Sequence, residues 1–254
     1  MQTTREIRAL ALDSPRIDTH LHYPGEIPDL RDLVNTFGAF TETPNMIESR
    51  VNAIGCKMLY GIDPGLFLRP DAPEALFGTA ADVAAVQHYA FRHALAACIR
   101  NELPVVIHTG FQIWGHADLR QSNPMHVHNL LIDKRYKDLT FVLLHGGNPY
   151  VGETTYLARM FPNVIIDFTW IAWMTRGRFR AALAEWLEIV PHGKFCWGSD
   201  SNFPEDVVGK GQITREEIAN VLEDLIARRI IDEPTAIDFL EHTYQKTPKR
   251  IFDL

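Results

Sequence analysis

Short apolar runs alternate with helical patterns along most of the chain, and no other feature limits the fold as strongly. The runs at 104–107 and 141–144 are apolar throughout, which is typical of strands covered on both faces of a parallel sheet. Between the runs, apolar residues recur at steps of three and four, which predicts amphipathic helices. Strands and helices in alternation predict successive βαβ units, so the predicted class is α/β.

Strands are predicted over residues 16–22, 54–60, 104–108, 141–145, 164–168 and 194–200. Helices are predicted over residues 79–101, 124–136, 153–161, 178–190, 215–229 and 234–244, and residues 1–15 are predicted to be a lead-in to the first strand. Asn123 followed by Pro124 predicts a helix N-cap with proline at the first helical position. No break in composition marks a second domain, so residues 1–254 are predicted to form one domain.

Composition excludes several classes of function. The net charge is −7 and no basic cluster is present, which disfavours binding to nucleic acid. No apolar stretch is long enough to predict a membrane span. The three cysteines are far apart, so we expect no disulfide framework and a reducing, cytoplasmic environment. The predicted partner is a small molecule, and assembly into a homo-oligomer stays open.

Potential metal ligands follow several of the apolar runs. They are His20, His22, His108, His145 and Asp200. Residues two apart in a strand face the same side, so His20 and His22 can aim both imidazoles at one point. The carboxyl ends of parallel strands carry the active sites of α/β folds. Imidazole and carboxylate are good ligands for a divalent metal, so the pattern predicts a metal site at these strand ends.

The order His-x-His, His, His, Asp at strand ends resembles the amidohydrolase superfamily of metal-dependent (β/α)8 barrels. The closer resemblance is to its amidohydrolase-related branch, and within it to the amidohydrolase-type domain fused to glutamine synthetase in nodulin-like proteins. The segments that carry the resemblance are 55–57, 104–110, 118–120, 122–124, 141–145, 156–157, 161–164 and 198–200.

The resemblance implies a role for each strand-end residue. His20, His22, His108 and Asp200 would hold one divalent metal, with zinc expected and manganese as the alternative. His145 would bind a second metal, the substrate or the activated water. Asp200 would also act as general base, since a divalent metal lowers the pKa of water and a nearby carboxylate can then take its proton.

Lys57 has three open interpretations. Binuclear members of the superfamily carry a carboxylated lysine on the fourth strand, and Lys57 lies near that place, although early in its predicted strand. It could bridge two metals, contact the substrate or a metal ligand, or form a structural salt bridge.

The polar loop after His108 supplies further candidates for substrate binding. Arg120 is suited to hold a substrate carboxylate through two hydrogen bonds, with a structural ion pair as the alternative. His116, Asp118 and Asn123 are candidate substrate contacts in the same loop, since loops at the carboxyl ends of strands carry specificity.

The predicted fold is therefore a (β/α)8 TIM-like barrel, with one departure. Only about thirty residues separate His22 from Ile54, and a single βαβ crossover needs about that many. We expect the barrel to be distorted or abbreviated between its first and fourth strands.

Three functions are compatible with this pattern. The first is a metal-dependent hydrolase of a small substrate, which could bear a carboxylate. The second is a non-oxidative, metal-dependent decarboxylase, because members of the same branch use the same ligands. The third is a catalytically idle binding module, against which the complete set of predicted ligands argues.

Overall fold

The structure is a computed structural model in which residues 2–18, 80–112, 118–201 and 204–253 are described. The chain divides into two compact units, one formed by residues 1–23 and 98–254 and the other by residues 24–97. The predicted strand 54–60 lies outside the described residues, and so does the part of strand 16–22 that follows Asp18. The organisation of the chain as one domain stays a prediction.

The described residues of the first unit contain a parallel sheet of four strands. Its strands are β1 (Val105–Ile107), β2 (Phe141–Leu143), β3 (Val164–Asp167) and β4 (Phe195–Cys196). They lie in the order β1-β2-β3-β4, with Val105 opposite Phe141 and Phe141 opposite Val164. The predicted α/β class with a parallel sheet is confirmed. Strand order that follows chain order is also the order in a (β/α)8 barrel.

The helices are α1 (Gln2–Asp13), α2 (Ala80–Arg100), α3 (His128–Leu131), α4 (Val151–Met160), α5 (Ile171–Met174), α6 (Arg176–Ile189), α7 (Pro204–Ala227), α8 (Glu233–Glu241) and α9 (Thr247–Phe252). A π-helix, His242–Lys246, joins α8 to α9. In the described parts of the chain, no helix combines the length and apolar character needed to cross a membrane.

Both faces of β2 and β3 are buried. In β2 all three residues are at most 1% exposed, and all four residues of β3 are equally inaccessible. On α6 the side chains of Leu183, Trp186 and Leu187 are buried, and the Trp186 ring packs against Phe195 of β4. This explains the continuous apolar runs of β2 and β3, because each of their side chains meets a packed layer.

The segment predicted as a lead-in, residues 1–15, contains a helix that was not predicted, α1 over Gln2–Asp13. The buried apolar side of α1 includes Ile7 and Ala11, which is too sparse a pattern to recognise. Polar contacts also hold α1 against α7, because Arg8 donates hydrogen bonds to Asn220 and Glu223.

The single helix predicted for 124–136 is also wrong. The segment consists of a 3-10 turn (Pro124–Val127), the short α3 and a second 3-10 turn (Lys134–Tyr136). The carboxylate of Asp133 accepts a hydrogen bond from the backbone N–H of Arg135, and such local bonds compete with helix continuation.

Tyr244 joins the two ends of the chain within the first unit. Its side chain is 1% exposed, and its hydroxyl donates a hydrogen bond of 2.9 Å to the carbonyl oxygen of Ala11. Its own carbonyl accepts one from the N–H of Ile17 at 2.9 Å. Burial raises the pKa of the Tyr244 phenol to about 12.

This shift predicts a loss of stability in alkali that depends on Tyr244. In the unfolded chain the phenol ionises near pH 10, while in the folded chain it ionises near 12. The contribution of the neutral phenol to the free energy of unfolding is therefore complete below pH 10. It is lost as the pH rises towards 12, by at most about 2.7 kcal/mol. We expect the free energies of unfolding of the wild type and Tyr244→Phe, measured with urea, to converge across this range. Parallel profiles would contradict the prediction.

Candidate metal centre

Three of the predicted ligands that are described lie close together beyond the carboxyl ends of the strands. His108 follows β1 directly, His145 follows β2 by two residues, and Asp200 lies four residues beyond β4. Nδ1 of His108 is 3.1 Å from Nε2 of His145. The same Nε2 atom is 4.0 Å from Oδ2 of Asp200. The side chains of His145 and Asp200 are 1% and 5% exposed.

The backbone conformations at His145 and Asp200 are unusual. Both have positive φ, of 63° for His145 and 47° for Asp200, a region that residues with a Cβ occupy rarely. Gly146 and Gly147 continue the left-handed turn after His145. A Cβ on Gly147 would lie 1.8 Å from Oγ1 of Thr154, so the turn needs glycine there for close approach as well. Strain of this kind often accompanies functional sites.

The hydrogen bonds of His108 identify its tautomer. Its Nε2 lies 2.8 Å from the carbonyl oxygen of Phe111, which can only accept, so Nε2 carries the hydrogen. The lone pair is then on Nδ1, the atom that faces His145. A ligating histidine commonly donates its other N–H to a backbone carbonyl, and this acceptor, the Phe111 oxygen, was not identifiable from the sequence.

This arrangement is compatible with a divalent ion. Two atoms that are each 2.0–2.1 Å from a tetrahedral zinc lie about 3.3 Å apart, which is close to the separation of the His108 and His145 nitrogens. Within the described ranges, no group of three or more histidine, cysteine, aspartate or glutamate side chains is arranged to hold a metal. The described residues thus supply part of a ligand set that fits the ion.

Trp170 packs against both histidines. Its indole stacks on the His145 ring at a centroid distance of 4.1 Å and meets the edge of His108 at 5.7 Å. The preceding turn is fixed by Asp167, which is fully buried and accepts hydrogen bonds from the N–H and hydroxyl of Thr169 and from the thiol of Cys196. Trp170 therefore orients the imidazole of His145.

The backbone at Ser199 and at Asp200 is also held in place. The N–H of Ser199 donates a hydrogen bond of 2.8 Å to Oδ1 of Asp18. Nζ of Lys210, on α7, donates one of 3.1 Å to the carbonyl oxygen of Asp200. Neither contact was predicted, because Asp18 reaches Ser199 and Lys210 reaches Asp200 only through the fold.

The candidate substrate residues of the loop make local contacts. Arg120 is 86% exposed and donates two hydrogen bonds to Asp118, of 2.9 and 3.0 Å, and these bonds lower the pKa of Asp118. Asn123 caps the following turn by accepting a hydrogen bond from the N–H of Met125 at 2.9 Å, with Pro124 in the first position, as predicted. Their roles towards a substrate stay predictions.

Four of the predicted site residues lie outside the described part of the chain. They are His20, His22, Lys57 and His116. The three interpretations of Lys57 therefore stay open.

Comparisons with known proteins place the chain in a family. The sequence profile of the amidohydrolase family matches residues 47–206, which is more than half of the chain. A stretch of 127 residues is 35% identical to protein fluG of Emericella nidulans and covers 48% of this chain and 14% of fluG. The chain thus spans only a small part of this longer relative.

Solved structures share the fold at low identity. A structure assigned as a metal-dependent hydrolase from Lactobacillus casei superposes with a TM-score of 0.58 and 22% identity, over 65% of this chain and 43% of that one. A uronate isomerase from Thermotoga maritima gives a TM-score of 0.56 and 13% identity, over 68% and 42%. Together with the profile match, these findings confirm the resemblance seen in the sequence: the chain belongs to the amidohydrolase family.

Proposed function

We propose that this protein is a metal-dependent hydrolase of a small substrate. One divalent ion, zinc or manganese, would be held by His20, His22, His108 and Asp200, with Asp200 as general base. The observation that carries the proposal is the tautomer of His108, whose Nε2–H bond to Phe111 leaves the Nδ1 lone pair facing His145 and its neighbour Asp200.

The position of Asp18 supports including His20 and His22. Its carboxylate contacts the N–H of Ser199, the residue before Asp200. His20 and His22 follow Asp18 by two and four residues. In an extended strand, these three residues would share one face, which supports proposing His20 and His22 as ligands together with Asp200.

Each residue of the site has its own role in the proposed reaction. A bound divalent ion would supply a Lewis acid and lower the pKa of water. Oδ2 of Asp200 takes a proton from the attacking water and returns it to the leaving group, which balances the hydrolysis of an ester, lactone or amide. Nε2 of His145 lies 3.1 Å from Nδ1 of His108 and 4.0 Å from Oδ2 of Asp200, so we propose that His145 contacts the substrate or the activated water beside the ion. Trp170 covers one face of the His145 ring.

Metal content tests the proposal directly. We expect the purified protein to contain about one equivalent of zinc or manganese. Dialysis against a chelator should remove the ion and reduce hydrolysis to background, and added Zn²⁺ or Mn²⁺ should restore it. His108→Ala should lose most of the metal, while His88→Ala, at an exposed position of α2, should keep it. A protein that holds no metal and does not rebind it contradicts the proposal.

The reaction itself can be assigned with a substrate panel. Esters, lactones and amides, with and without a carboxylate, are to be incubated with the reconstituted protein, and acid release and carbon dioxide release measured in parallel. Acid release without carbon dioxide supports hydrolysis. Stoichiometric carbon dioxide release would replace the proposal with decarboxylation, and turnover of neither kind in a metal-loaded protein would favour an idle binding module.

A further inference from the structure

We infer that Lys210 is a positioning residue for Asp200 and thereby for the bound ion. The inference rests on the proposed function, because it assigns to Lys210 a role towards a residue proposed as ligand and base. Lys210 lies on α7, ten residues after Asp200 in sequence, and belongs to no motif that the sequence displays.

The ammonium group of Lys210 is held on three sides. It donates a hydrogen bond of 3.1 Å to the carbonyl oxygen of Asp200 and pairs with Oδ2 of Asp206 at 2.6 Å. It also lies 5.1 Å from the ring centre of Trp173, on α5. A lysine has three N–H donors. Here one hydrogen-bonds to the Asp200 carbonyl, one pairs with the Asp206 carboxylate, and the ammonium also lies near the Trp173 indole. The side chain is only 12% exposed, so it is confined to this geometry.

The carbonyl that Lys210 contacts belongs to a strained residue. Asp200 has a φ of 47°, and residues with a Cβ persist in that region only where their surroundings hold them. A charged donor to the carbonyl forms a stronger bond than a neutral one. The contact therefore fixes the peptide plane from which the Asp200 side chain leaves, and with it the direction of the carboxylate towards His145.

An ordinary helical ion pair does not account for these contacts. Just beyond the other end of α7, Arg228 also pairs with an aspartate four residues earlier, Asp224, but both side chains are about 60% exposed. Pairs of that kind contribute little to stability. Lys210 differs because it is largely buried, lies beside an aromatic ring of another helix and reaches back to the site.

Cobalt binding tests this role without a substrate. Co²⁺ replaces Zn²⁺ in such sites and reports its ligands through visible absorption. Groups that orient a metal ligand typically change metal affinity by 10–100-fold, so Lys210→Met should raise the Kd for Co²⁺ by about that factor and alter the spectrum. Lys210→Arg, which keeps the charge and donors, should recover most of the affinity. Arg228→Met is the matched control and should bind as the wild type does.

The melting temperature of each metal-free variant separates positioning from folding. If Lys210→Met melts lower but binds Co²⁺ with wild-type affinity and spectrum, the inference is overturned and the proposed function stands. If Lys210→Met does not fold, Lys210→Gln is measured in its place, and wild-type binding by that variant overturns the inference equally. If the wild type itself binds no Co²⁺, the proposed function and this inference fail together.

Discussion

Replacing Asp200 with asparagine is expected to lower kcat by about 100- to 10,000-fold, the range that a general base contributes. Asparagine preserves the shape of the side chain but cannot accept a proton at neutral pH. It also tolerates positive φ better than most residues, so the strained backbone at 47° should be retained. The loss therefore reports chemistry at the carboxylate and not a distorted turn.

The control for Asp200→Asn is Asp253→Asn. Asp253 is also an aspartate in the left-handed region, with a φ of 52°, at the end of α9. This variant should keep the wild-type kcat. The measurements are kcat and KM on the substrate found by the panel, metal content, and the midpoint of urea unfolding. If Asp200→Asn is folded, loaded with metal and retains kcat within twofold, Asp200 is not the base.

Replacing Gly110 with alanine is expected to destabilise the first unit by about 3–5 kcal/mol, which is large for one methyl group. Gly110 has a φ of 72°, and a Cβ there would lie 2.1 Å from the carbonyl oxygen of Asn148 and 2.6 Å from two backbone atoms of Gly147. Backbone cannot rotate away as a side chain can, so either the loop after His108 or the turn after His145 must shift. Because both histidines lie within two residues of the overlap, metal binding should weaken too.

Gly152→Ala is the matched control for Gly110→Ala. Gly152 lies in α4, and a Cβ there meets nothing within 4 Å. Alanine is the better helix former, so this variant should be more stable by about 0.5–1 kcal/mol. Urea unfolding and zinc content of the two variants test the pair. A Gly110→Ala protein within 1 kcal/mol of the wild type would show that the backbone contact is not tight in solution.

The sequence was most informative where burial dictated residue type. Strands β2 and β3 were predictable because both of their faces are covered. The site residues were predictable because a histidine or an aspartate directly after an apolar run is unusual unless it has a function. His108, His145 and Asp200 were found in this way, and the structure brings them within 4.0 Å of one another in successive pairs. The assignment to the amidohydrolase family, made on the same residues, was confirmed.

The polar supports of the site could not be read from the sequence. The contact of Lys210 depends on where α7 begins, and α7 begins at Pro204 rather than at residue 215. Gly209 and Gly211 obscured the first turns, since glycine is a weak helix former. The structure gives Gly211 a packing reason, because a Cβ there would lie 1.8 Å from a guanidinium nitrogen of Arg16. Likewise, the tautomer of His108 depends on the backbone carbonyl of Phe111. Every residue has a backbone carbonyl, so the sequence does not show which one accepts the hydrogen bond.

The order of the strands affects the conformational entropy that the chain loses when it folds. Each strand pairs with the next one along the chain, so the sheet is built from contacts of modest sequence separation, which are the less costly ones to close. The contacts of Tyr244 with Ala11 and Ile17 join residues more than two hundred positions apart. The contact order of this first unit is therefore uneven, with local pairing in the sheet and a long closure that ties α1 to the helices of the far end.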